Sequence, residues 1–132
     1  MAIVVGYVST KEGRAALERA VAECRLRGEN LVVINSDRGG SSLSGDAARR
    51  NEKNLEELRH DLAEADIEFE VRGLVRGKEP ADDLIAVAEE TGAELIVIGL
   101  RRRTPVGKLI LGSNAQRVLL DAPCDVLAVK AR

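Results

Sequence analysis

Residues 95–114 read Leu-Ile-Val-Ile-Gly-Leu-Arg-Arg-Arg-Thr-Pro-Val-Gly-Lys-Leu-Ile-Leu-Gly-Ser-Asn, and their order decides the fold. Leu95, Ile96, Val97 and Ile98 form a short apolar run rich in β-branched residues, the pattern of a buried strand, and Gly99 ends it. A cationic loop follows, carrying Arg101, Arg102, Arg103 and Lys108. Gly112-Ser113-Asn114 then opens a helix predicted over 113–120, where Ser113 and Gln116 have capping-box spacing. Strand, loop and helix start in that order bring backbone N–H groups, a hydroxyl and several cations together. Such a place suits an anion, above all a phosphate, held at a helix amino terminus. Two plainer readings stand beside it: the arginines suit a solvated loop, and Gly112-Ser113 suits capping whether or not a ligand binds.

Upstream, the same alternation of strand and helix repeats. Residues 2–8 are almost continuously apolar, as in a strand covered on both faces. Ser9-Thr10-Lys11-Glu12 has the form of a capping box. The helix after it carries Gly13, Leu17, Ala20, Val21 and Cys24 on one stripe, and Gly28 stops it. Leu31-Val32-Val33-Ile34 is a second buried strand. Residues 36–45 are rich in serine and glycine and read as a loop, or as a lid, since they leave the same sheet end as the other strand-to-helix loops. A helix is predicted over 46–66 with Leu55, Leu58, Leu62 and Ala65 on one face, then an edge strand over 67–75. Pro80 starts a third helix that Gly92 closes. A last strand follows over 126–130.

The order β-α-β-α-β-α-β-α-β predicts an α/β fold, a parallel sheet with helices on both faces. Ligands in such sheets sit beyond the carboxyl ends of the strands, where successive connections leave in opposite directions. With strands one and four as neighbours, the loops after Val8 and Gly99 face one cleft.

Composition narrows the function. The 132 residues are expected to form one domain, 1–132, with 45% hydrophobic and 32% charged residues, the balance of a soluble globular protein rather than a disordered one. Twenty basic residues against 22 acidic ones leave a formal charge of −2, which supplies no global attraction to nucleic acid or an anionic membrane. Tyr7 and Phe69 are the only aromatic residues, too few for base-stacking platforms. The amino-terminal stretch has no charged n-region and no long apolar segment, so a cytoplasmic location is expected. Cys24 and Cys124 form no CxxC and read as inert thiols.

A catalytic reading is poorly supplied. The only histidine, His60, falls on the charged second helix, away from the strand ends. Neither a Cys/His zinc cluster nor a Gly-x4-Gly-Lys-Ser/Thr loop is present. Slow hydrolysis of a bound phosphate compound would need Mg²⁺ ligands, for which Asp37 and Asp46 are the nearest loop candidates.

Over essentially its whole length the chain resembles the universal stress protein family. The likeness is carried by Ile3-Val4-Val5-Gly6, by Gly13 with Ala15-Ala16-Leu17, and by Ala93-Glu94-Leu95-Ile96-Val97-Ile98-Gly99. It continues in Leu109-Ile110-Leu111-Gly112-Ser113, in Arg117-Val118-Leu119, and in Ala122-Pro123-Cys124-Asp125-Val126-Leu127-Ala128-Val129. The resemblance implies a five-stranded Rossmann-like sheet of order 3-2-1-4-5, of the adenine nucleotide alpha hydrolase type. It also implies a homodimer formed through the last strand, and ATP or AMP bound in the cleft described above.

The family's nucleotide-binding members carry Gly-x2-Gly-x9-Gly-Ser/Thr. Here Gly99 and Gly112-Ser113 match, while Arg102 replaces the middle glycine. ATP-binding relatives present an aspartate at the end of strand one, where this chain has Val8. Ser36 stands where the family lines the base site, and Ile98 precedes the first motif glycine. Arg102 forfeits close backbone access but offers a bidentate cation. Val8 removes an acceptor for the nucleoside, so weaker adenosine selectivity is expected. Two functions follow: a stress-response regulator that binds an adenine nucleotide or related phosphate, and a dimeric interaction module that has lost nucleotide binding.

Overall fold

The computed structural model describes residues 1–35, 45–73, 79–100 and 112–131, with side chains from residue 53 onward in the second of these stretches. The first strand, β1 (Ala2–Tyr7), explains its own composition. Successive side chains of a strand point to opposite faces, and both faces of β1 are covered. Ala2 and Val4 enter one core, while Ile3, Val5 and Tyr7 enter the other. The second strand, β2 (Asn30–Asn35), divides the same way, with Val32 and Ile34 on one side and Leu31 and Val33 on the other. So does β4 (Leu95–Leu100), with Ile96 and Ile98 opposite Leu95 and Val97. Burying each such side chain contributes about 1.5–3 kcal/mol, so a polar residue in these three runs would be costly.

The remaining elements are α1 (Lys11–Arg27), α2 (Gly45–Glu64), β3 (Phe69–Gly73), α3 (Pro80–Thr91), α4 (Ser113–Asp121) and β5 (Asp125–Lys130). The five strands are parallel in the order β3-β2-β1-β4-β5, as expected. Val5 sits opposite Val33 on one side and Val97 on the other. Ala16, Ala20 and Cys24 of α1 and Leu58 and Leu62 of α2 cover one face. Ala81, Leu84, Val87 and Ala88 of α3 and Val118 of α4 cover the other. The chain leaves β1 toward β2 under α1 and leaves β4 toward β5 under α4, so the connections diverge between β1 and β4. That divergence marks the crevice.

Helix ends refine the sequence reading. Gly28 and Gly92 take left-handed conformations and close α1 and α3, as their positions predicted. The cap of α1 is Thr10 rather than Ser9. The Thr10 amide donates to the Val8 carbonyl at 2.7 Å, which sets Thr10 in the extended region, and its Oγ1 accepts from the Gly13 amide at 3.1 Å. Ser9 Oγ instead accepts from Asn54 Nδ2 of α2 at 3.5 Å. In α4 the cap is Gly112, and Ser113 is the first helical residue, so the Ser113–Gln116 box does not form; the Gln116 amide donates to the Gly112 carbonyl at 3.0 Å.

The third strand starts at Phe69 rather than 67. The Asp66 amide still donates to the Ala63 carbonyl, and Asp66 itself is left-handed at φ 56°, so the turn after α2 uses up residues 65–67. Cys24 is buried, and burial beside Glu29, Glu23 and Glu94 pushes its thiol up to about 11, which keeps it protonated and unreactive. Burial and neighbouring Asp125 also raise the half-buried Cys124.

Candidate functional site

The crevice is built by close approach of backbone. Where β1 ends, the first turn of α1 folds across the ends of both central strands. A Cβ on Gly13 would overlap the Val8 carbonyl, and a Cβ on Gly99 would overlap the Glu12 carbonyl. Only hydrogen at those two positions lets helix and strand ends meet. The first glycine of the motif therefore has a structural duty: it seats α1 on β4.

Around this contact the expected residues fall into three groups. Gly99 is the penultimate residue of β4, which runs one residue past the expected stop to Leu100, Val8 is half-buried just after β1, and Gly112 and Ser113 begin α4. Ile98 is 6% exposed, and its side chain belongs to the core under α3 and α4, so this position faces no ligand with its side chain. Ser36, Arg101, Arg102, Arg103 and Lys108 lie outside the described residues, as do the middle of the motif, the stretch over 36–45 read as a loop or a lid except Gly45, and the side chains of Asp37 and Asp46.

Three of the helices that begin at this end of the sheet, α1, α3 and α4, have described side chains in their first turns, and their charges differ. A helix amino terminus carries roughly half a positive charge. The first turn of α1 holds Glu12, and that of α3 holds Asp82 and Asp83 behind Glu79. The first turn of α4 holds no acidic residue. Its cap, Gly112 at φ −67° and ψ 162°, brings no side-chain acceptor to its amides. Of the three, α4 is the end whose own sequence leaves positive potential uncompensated.

The side chain of Asn114 has another use. Its Oδ1 accepts from the Ala81 amide of α3 at 3.2 Å, and one turn further Arg117 forms an ion pair with Asp82. Two further polar residues are buried at this end of the sheet. Asn35 closes β2 opposite Tyr7 and is 6% exposed, and Asp83 is 5% exposed in the first turn of α3. The signal for Asn35 was available: it is the polar residue that ends an otherwise apolar run.

Elsewhere, a groove of about 540 Å³ runs between α1 and α2 over Leu17, Val21, Leu58 and Leu62, and Tyr7 and Ser9 bring it to the end of β1. His60 lies on the exposed side of α2 beside Glu64. Among the described residues no three His, Cys, Asp or Glu side chains are grouped to hold a metal ion.

Comparison with known proteins places these features in a lineage. Residues 1–130 match the model of the universal stress protein family. A universal stress protein of Mycolicibacterium smegmatis is 42% identical over 128 residues, 97% of this chain and 96% of its own. The structure of a universal stress protein from Archaeoglobus fulgidus aligns with a TM-score of 0.81 at 37% identity and covers 98% of both chains. A structure of the universal stress protein from that organism in complex with dAMP aligns with a TM-score of 0.76 at 33% identity, again over 98% of both chains.

Proposed function

The chain belongs to the universal stress protein family, and from that premise we propose that it is a small cytoplasmic stress-response regulator that binds an adenine nucleotide or related phosphate at the β1/β4 crevice. The observation that carries this reading is the bare start of α4. Its amides lie at the divergence of the connections, with no acidic residue in its own first turn to neutralise them. The dAMP complex of the Archaeoglobus fulgidus relative supports adenine as the base. ATP and AMP are the expected ligands. The phosphates lie on the amides of Gly112, Ser113 and Asn114, and Arg101, Arg102, Arg103 and Lys108 supply cations from the loop. Val8, Ser36 and the backbone of Ile98 and Gly99 line the nucleoside side. The protein acts as a binder, and hydrolysis, with or without Mg²⁺, is at most slow.

Val8 favours a second reading, a dimeric interaction module without a nucleotide. An apolar side chain stands where a carboxylate would accept from the nucleoside. Calorimetric titration with ATP and with AMP separates the two. The regulator binds saturably in the micromolar range, and silence to both nucleotides overturns it in favour of the interaction module.

Both readings share a homodimer. Among the described strands β5 pairs only with β4, so its other edge offers unpaired backbone over 126–130. Sedimentation at micromolar concentration is expected to give a dimer, and a monomer contradicts the assignment.

A further inference from the structure

We infer that Asn114 and Arg117 are positioning residues that clamp the start of α4 to the start of α3, so that a ligand on α4 is felt at α3. The inference rests on the nucleotide reading above and assigns a role that requires no contact between these two side chains and the ligand.

The geometry begins with an amide that α3 cannot satisfy. The first amides of a helix have no partner within it. In α3, Pro80 brings no amide at all. The amides of Asp82 and Asp83 both reach the Glu79 carbonyl, at 3.0 and 3.4 Å, and the Glu79 amide reaches Asp82 Oδ2 at 3.4 Å. The Ala81 amide finds its acceptor on another helix, at Asn114 Oδ1, 3.2 Å away. Arg117 follows Asn114 by three residues and so lies on the same side of α4. It pairs with Asp82, the residue after Ala81. Two contacts one turn apart on α4 thus meet consecutive residues on α3. A pair of contacts limits rotation of α4 about its axis as well as its distance, and rotation would swing the Gly112 and Ser113 amides away from a phosphate.

The choice of residue types fits the same purpose. Asn114 accepts a hydrogen bond without bringing charge to α4, while the carboxylates stay on α3. An aspartate in its place would satisfy Ala81 but neutralise the end on which the ligand sits.

The test uses AMP as probe and two readouts, affinity by calorimetry and hydrogen exchange at the Ala81 amide. Asn114→Ala is expected to weaken AMP binding by about three- to tenfold. In the wild type, saturating AMP slows exchange at Ala81, and in Asn114→Ala that ligand-dependent slowing is lost. Arg117 is 49% exposed, so Arg117→Ala keeps the fold and weakens binding in the same direction, and Arg117→Lys restores part of it. Wild-type affinity in both Asn114→Ala and Arg117→Ala overturns the clamp while leaving the nucleotide site standing. Slowing at Ala81 that persists in Asn114→Ala overturns the coupling. Wild-type protein that does not bind AMP overturns the nucleotide reading, and the clamp's role with it.

Discussion

Gly112→Asp is expected to abolish AMP binding while leaving the protein folded. Gly112 is the cap of α4 and already has extended angles that an aspartate adopts without strain. Aspartate is a better helix cap than glycine by a few tenths of a kcal/mol, so the thermal midpoint should hold or rise slightly. A phosphate held on the α4 amides would stand roughly 5 Å from that carboxylate, since a capping side chain reaches the same amides. At an effective dielectric of about 20 the repulsion is about 3 kcal/mol, which is roughly a hundredfold or more in affinity. The substitution also gives the amides an internal acceptor in competition with the ligand. Calorimetry with AMP and a melting curve on one preparation check both halves. Unchanged affinity removes α4 from the site.

Gly99→Ala is expected to act oppositely, damaging the fold first. The added methyl would overlap the Glu12 carbonyl, which is backbone and has no rotamer by which to yield. Overpacking of this kind costs about 3 kcal/mol, a fall in midpoint of roughly 10 °C for a chain this long. Urea unfolding measures it directly. A variant as stable as the wild type would mean that α1 does not rest on β4 as described. The pair of variants thus separates the two motif glycines: Gly112 acts through the ligand and Gly99 through the seat of α1.

How much of this was legible in the sequence depends on how local each feature is. The runs in β1, β2 and β4 announce themselves because burial on both faces leaves their middles apolar, with polar residues in β2 only at its ends, Asn30 and Asn35. The alternation of elements then leads to the parallel sheet, and the resemblance supplies the strand order that the structure bears out. Caps were harder. Ser9 and Thr10 are both good caps and stand side by side, and the choice is made by the turn from the Val8 carbonyl to the Thr10 amide. Ser113 with Gln116 imitates a capping box, yet the extended residue is Gly112.

Within the candidate site, Gly99 and Gly112-Ser113 were readable as a frame because glycine spacing is a sequence property. The seating of Gly99 on Glu12 and the bond from Ala81 to Asn114 were not, since each joins elements far apart in the chain. Ile98 shows the same limit: its place beside the motif suggested a ligand contact, and its strand face turned it into the core.

The most direct measurement is an AMP titration followed by amide chemical shifts of the ¹⁵N-labelled protein. The account predicts the largest saturable shifts at Gly112, Ser113, Asn114 and Gly99, with a smaller, parallel change at Ala81. Shifts confined to the groove between α1 and α2, or none at saturating AMP, would contradict it.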